Sequence, residues 1–152
     1  MSIRQEISGA LRQAVKTQDR LATSTLRLVI AALKDHEIAS RANGVSQMVS
    51  DEQAIGILAK MVRQRREAAE QFRKGDRTDL ADREEAEISI ITRFMPRPMD
   101  PEELGRCVDA AIVECDALSL KDMGRVMALL KTSYPGRFDG AAASALVRKR
   151  LG

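Results

Sequence analysis

Aromatic side chains are almost missing from this chain: no tryptophan, one tyrosine and three phenylalanines in 152 residues. That scarcity leaves the core to Leu, Ile, Val, Met and Ala, and it removes the stacking platforms on which many single-strand nucleic-acid binders lay bases. Histidine is scarcer still. His36 stands alone between Asp35 and Glu37 on a polar helical stretch and reads as a solvated side chain. Without it no Ser-His-Asp or Cys-His set can be assembled. Two cysteines, Cys107 and Cys115, are eight positions apart. On one helix that is about 12 Å, beyond disulfide reach, and no further metal ligands accompany them. There is no Gly-rich phosphate loop of the Walker or dinucleotide type. No stretch approaches the roughly 20 apolar residues of a membrane span, and the N-terminus lacks the apolar run of a signal peptide. These absences predict a cytoplasmic protein with no membrane contact, no metal, no cofactor and no catalytic residues of its own.

What is present is charge and helical periodicity. Hydrophobic residues make up 44% and charged residues 31%, a balance that suits a soluble helical protein and argues against disorder. Ile3, Ile7, Ala10, Leu11, Ala14 and Val15 recur at the spacing of one helix face. A second helix is predicted from about Asp19 past Lys34, with Leu21, Leu28 and Ala32 inward, ending near Asn43-Gly44. Ser50 and Gln53 read as a capping box that opens a long helix to Lys74, stopped by Gly75. Asp76 then offers the cap of a fourth helix carrying Leu80, Ile88, Ile91 and Met95.

Two prolines in Met95-Pro96-Arg97-Pro98-Met99 forbid continued helix. Asp100-Pro101-Glu102-Glu103 restarts one, with a cap, proline at the first helical position and acid in the first turn. Ser119 to Asp122 caps a sixth helix, Tyr134-Pro135-Gly136 makes a turn, and Asp139 caps a seventh. The expected fold is all-α: a four-helix N-terminal domain over 1–95, a proline hinge over 96–100, and a three-helix C-terminal module over 101–152.

Net charge is only +3, so its distribution carries the information. Between Lys60 and Arg77 lie Lys60, Arg63, Arg65, Arg66, Arg73, Lys74 and Arg77, against Glu67, Glu70 and Asp76, a local +4. One reading is a solvated face with intrahelical pairs such as Glu70–Lys74, Arg63–Glu67 and Arg66–Glu70. The other is a rail for phosphates, because guanidinium forks match phosphate oxygens and displace counterions. Residues 100–118 carry six acids and one base, whereas from Ser119 onward there are seven bases and two acids. Arg125, Lys131, Arg148 and Lys149 are the candidate phosphate contacts there. The carboxylates Glu84, Glu85 and Glu87 on the fourth helix read as ordinary solvated charge pairs.

Three stretches carry a resemblance: LRLVIAALKDHEI in the second helix, RQRREAAEQFRKGDRTDLADREEAEI across the third and fourth, and DMGRVMALLK with FDG near the end. Through them the chain resembles the YqeY family over nearly its whole length, and its C-terminal part is similar to the GatB/YqeY-like tail of the B subunit of tRNA-dependent amidotransferases. The resemblance implies an all-α protein connected with tRNA, either binding it or docking on an amidotransferase or aminoacyl-tRNA synthetase. It also brings a carbon–nitrogen ligase label with glutamine as amido donor. That reaction needs a nucleophile and an ATP–Mg²⁺ site, for which the chain offers no residues. Where the family tends to have a Leu-Pro-x-Gln-Leu hinge, this chain has Met95-Pro96-Arg97-Pro98-Met99.

Within DMGRVM, Leu120, Met123, Val126, Met127 and Leu130 share one apolar face. Gly124 and Ala128 lie on its shoulder, read first as a close helix contact and second as a place where an RNA or partner backbone comes near.

Overall fold

The computed structural model describes residues 1–41, 44 and 47–152. Among them are seven α-helices, one 3-10 turn and no strand. The chain divides into two compact units, Met1–Met95 and Pro96–Gly152.

In the first unit α1 (Ile3–Lys16) opens on a capping box between Ser2 and Gln5, and α2 (Arg20–Ala39) opens on Asp19, whose carboxylate accepts the Ala22 N–H. A second capping box, Ser50 with Gln53, starts α3 (Asp51–Lys74) where the sequence places it. The fourth helix, α4 (Thr78–Thr92), differs from expectation. Arg77 stands at its cap position without a side-chain cap, and Asp76 takes a left-handed conformation at φ 56°. Asp76 is consumed by the reversal out of α3, so it cannot sit in the extended conformation a capping residue needs. Asn43, expected at the end of α2, lies outside the described residues; Gly44 has φ 78°.

Helix α3 packs most extensively on α4, and α1 on α2, while α4 also packs on α2. Their shared core centres on Ile7, Leu26, Val29, Leu33, Leu58 and Ile91. Two expected core positions are corrected. Val15 is 49% exposed and Leu28 53% exposed. The buried line of α2 runs through Thr25, Val29 and Leu33, and Leu28 lies about 100° round from it. Leu21 and Ala32, also expected inward, are half-buried on its margins.

One polar cluster ties three elements together. Glu37, only 7% exposed near the end of α2, accepts from the Arg4 guanidinium at 3.4 Å and from the Val49 N–H at 3.0 Å. Arg4 also donates to Ser8 at 2.9 Å, and the Ile3 N–H donates to Asp51 at 2.9 Å. The starts of α1 and α3 are thereby fixed to the end of α2.

In the second unit α5 (Pro101–Glu114) begins as the sequence predicts, with Asp100 accepting from the Glu103 N–H and proline at the first position. A 3-10 turn (Leu120–Asp122) leads into α6 (Met123–Ser133), and α7 (Gly140–Leu151) is capped by Asp139. Val108, Val126, Leu130 and Val147 form the centre of a separate core. Leu120, expected on the apolar face of α6, belongs to the 3-10 turn and is half exposed. Arg137 fastens the proline segment down: its guanidinium donates to the Arg97 carbonyl at 3.0 Å and to Glu103 at 3.2 Å. Its own carbonyl accepts from the Met99 N–H at 2.7 Å. No described helix is long and apolar enough to cross a membrane.

Replacing Glu37 by alanine would strand the Arg4 guanidinium and the Val49 N–H in a nearly dry site. Urea unfolding should show a loss of about 3 kcal/mol, with an unchanged dependence on denaturant.

Candidate nucleic-acid interface

The basic stretch of α3 is not a uniform rail. Helical geometry sorts it: Ala54, Leu58, Met61, Val62 and Ala69 face the core, and successive residues rotate by about 100°. Arg65 falls on the buried side. Its Nε donates to Glu87 Oε2 of α4 at 3.1 Å, and both side chains are about 13–14% exposed. Arg65 is therefore corrected from a phosphate contact to a clasp between α3 and α4. Its neighbour Arg66 points to solvent, as do Lys60 and Arg63, and none of the three has an ion-pair partner among the described residues. The expected pairs Arg63–Glu67 and Arg66–Glu70 do not form. Glu70 goes to Lys74 at 3.3 Å, as expected.

At the turn between α3 and α4 the cations are already matched. Arg73 reaches Asp82 at 3.4 Å, and Arg77 forks onto both oxygens of Asp79 at 3.2 Å each. The hydrogen bond to Arg77 holds the Asp79 carboxyl below the usual aspartate range, and the same bond raises Arg77. Both groups are exposed, so a phosphate can still exchange for the carboxylate, but it must compete with it.

The carboxylates of α4 separate by role. Glu87 serves Arg65 and also Arg83, at 3.5 Å. Burial pushes the Glu84 carboxyl up, with the charge of Glu87 adding to it. Glu85 is exposed. Among the described residues no three His, Cys, Asp or Glu side chains converge where a metal could sit. His36 has Ser40 Oγ at 3.4 Å from its Nδ1, and Cys107 and Cys115 are half-buried free thiols.

In the second unit Arg125 is bound to Asp122 at 2.7 Å. Asp122 also accepts from the Leu118 N–H at 2.9 Å and the Ser119 N–H at 3.3 Å. Its carboxyl is held low, first by the Leu118 bond and then by Arg125. Lys131, Arg148 and Lys149 are exposed and have no ion-pair partner among the described residues. Arg150 is engaged by Asp109 at 2.7 Å.

Gly124 and Ala128 are corrected too. Both are exposed, and a Cβ added at Gly124 would meet nothing within 4 Å. The glycine makes no close helix contact inside this unit, because α6 turns Val126 and Leu130 inward and Gly124 away.

The sequence reading missed a row on α2. Arg20, Arg27 and Lys34 are seven apart, all exposed, and without ion-pair partners among the described residues. The heptad spacing, which keeps residues on one side of a helix, was the available signal.

With this geometry in place, comparison with known proteins gives the class. Residues 4–151 match the Yqey-like protein family, and the chain belongs to it. It is also similar to the mitochondrial protein named altered inheritance of mitochondria protein 41 in two yeasts. In Lachancea thermotolerans the identity is 28% over 125 residues, 82% of this chain and 58% of the relative. In Eremothecium gossypii it is 32% over 106 residues, 68% of this chain and 56% of the relative. An uncharacterized Schizosaccharomyces pombe protein is 30% identical over 90 residues, 59% of this chain and 69% of that one. The chain thus spans little more than half the length of the two named relatives. Their mitochondrial names overturn the expected cytoplasmic setting. The unpaired thiols behind that expectation speak only for reducing conditions, which are not peculiar to the cytoplasm.

Two measurements check the second unit. Gly124→Ala should stabilise it by about 0.5 kcal/mol, since the added methyl meets nothing and alanine favours helix; a loss of stability would mean the position is packed after all. Asp122 has a depressed carboxyl pKa, so its ionised form stabilises the fold at neutral pH. That contribution is lost as the pH falls through the depressed value. The melting-temperature gap between wild type and Asp122→Ala should therefore be widest at neutral pH and close in strong acid.

Proposed function

We propose that this protein is a non-catalytic RNA-binding accessory of tRNA metabolism, gripping the phosphate backbone of tRNA. The observation that carries the reading is the outward face of α3, where Lys60, Arg63 and Arg66 stand exposed and without ion-pair partners among the described residues. Steps of three along a helix set them about 4.5 Å apart in rise, within the reach of flexible side chains to neighbouring phosphates. Arg73, Lys74 and Arg77 form a reserve that binds only by releasing a carboxylate. We read the helices as a four-helix domain followed by a three-helix module that adds Lys131, Arg148 and Lys149, with Arg125 released from Asp122. The open shoulder of Gly124 and Ala128 lets a backbone approach without a side chain in the way. With so few aromatics, recognition rests on shape and charge rather than on stacked bases.

A second reading has its own support. Val113, Leu118 and Leu120 are 75%, 89% and 50% exposed beside the acids Glu114 and Asp116. An amidotransferase or aminoacyl-tRNA synthetase with a basic apolar patch would be the corresponding partner. Amidotransfer by this chain alone is not proposed, since neither an activated thiol nor a nucleotide cradle supports it. For the setting, the mitochondrial names of the relatives supply the working expectation.

Anisotropy titration of labelled tRNA at several salt concentrations tests the reading. Arg63→Glu with Arg66→Glu should weaken binding by tenfold or more and flatten the salt dependence. Wild-type protein that fails to bind tRNA at low salt would overturn it.

A further inference from the structure

The unassigned row on α2 does not belong with the RNA face. Helices α2 and α3 bury their inner sides in the same core, and α4 packs on both, so their outer sides look away from one another across it. One phosphate strand lying on Lys60, Arg63 and Arg66 does not also reach Arg20, Arg27 and Lys34. The α2 face differs in chemistry as well. Beside its cations it exposes Leu28 at 53% and Ile38 at 56%, with Ala31 also exposed between them. At about 100° per residue, Leu28, Ala31 and Ile38 fall to one side of the cationic row, with Asp35 among them. From Arg20 to Ile38 the face is about 27 Å long.

Phosphate gains nothing from exposed leucine and isoleucine, whereas an amphipathic helix gains from both halves of such a surface. At its N-terminal end the face meets a groove of about 720 Å³ lined by Arg20, Leu21, Ser24, Asp79, Asp82 and Arg83. The aspartates there are already held by Arg77 and Arg73. Arg83 is held by Glu87, which leaves Arg20 as the cation of the groove without an ion-pair partner among the described residues. The one carboxylate on the exposed face of α2 is Asp35; Glu37 is buried against Arg4.

We propose that the outer face of α2 is a docking surface for an acidic amphipathic helix of a partner protein, of about five turns. Its leucines or methionines cover Leu28, Ala31 and Ile38, and its carboxylates meet Arg20, Arg27 and Lys34. Charge complementarity selects an acidic helix over a basic one, and the exposed apolar side chains select a helix over a nucleic acid.

The test uses the full chain and a fluorescent synthetic peptide of about 20 residues, long enough to cover the face of about 27 Å. It carries leucine at helical i, i+3 and i+4 spacing and glutamate elsewhere. Saturable binding is expected, weakened tenfold or more by Leu28→Ser with Ile38→Ser, and likewise by Arg27→Glu with Lys34→Glu. Arg63→Glu with Arg66→Glu should leave peptide binding unchanged while it weakens tRNA binding, which separates this surface from the RNA reading. All substituted side chains are exposed, and an unchanged helical circular-dichroism spectrum confirms the fold. Absence of saturable binding overturns the proposal. So does equal affinity for a peptide with lysine in place of glutamate, or loss of tRNA binding instead of peptide binding in the α2 variants. A dimer in light scattering that the α2 variants dissolve would replace the partner helix by a second copy and overturn it as well.

Discussion

The contact between Arg65 and Glu87 lies on the side of α3 that Leu58, Met61 and Val62 turn to the core, and it marks the rotation of that helix about its own axis. Once Arg65 is turned inward to a carboxylate of α4 at 3.1 Å, helical geometry leaves no choice for its neighbours. Arg66 goes to one flank, Lys60 and Arg63 to the outside, and Leu58, Met61 and Val62 to the core. A half-buried ion pair of this kind adds little net stability, because desolvation consumes most of the attraction. Its value lies in register. Rotating α3 by one residue would bring Arg66 to the interface but turn Leu58 and Met61 out of the core, so the apolar side and the ion pair together set which cations face water.

Charge in this protein is thus a matter of what remains after pairing. Seven bases between Lys60 and Arg77 reduce to three that are exposed and unmatched among the described residues, since one is buried and three hold carboxylates. The same subtraction in the second unit removes Arg137 and Arg150, held by Glu103 and Asp109 of the acidic α5, and Arg125, held by Asp122 at the start of α6. The strong polarity of the two halves of that module is therefore partly internal glue. What is left over is sparse and spread over separate faces.

Local signals were legible in the sequence, and non-local ones were not. The boxes at Ser50, the cap at Asp100 with its proline, the stop at Gly75 and the cap at Asp139 are all written within four residues, and all stand where expected. The partner of Arg65 is a residue 22 positions away, but its side was legible: Arg65 lies seven after Leu58 and four after Met61, on the apolar side of α3, whereas Arg66 is about 100° round from it. Asp76 failed for a different reason: the chain needs a left-handed residue to leave α3, and that need outranks capping. Val15 and Leu28 were misread because a list of apolar positions overfills one face, and only the neighbouring helices decide which are left outside. The heptad of Arg20, Arg27 and Lys34 is legible in its period, although its charge is too dilute along the chain to stand out as a cluster.

The open glycine shows how the constraints combine. Gly124 carries no positive φ and crowds nothing, so neither backbone strain nor packing within its unit accounts for a residue that disfavours helix. Its flat shoulder continues through Ala128 and is flanked by Arg125, whose side chain is drawn back onto Asp122 at 2.7 Å. While that bond holds, the shoulder offers helix backbone without a covering side chain. A surface that lacks side chains and has a releasable cation at its edge suits a ligand recognised by its backbone. The near-absence of aromatic rings, which leaves few platforms for stacking bases, fits the backbone-binding reading proposed above.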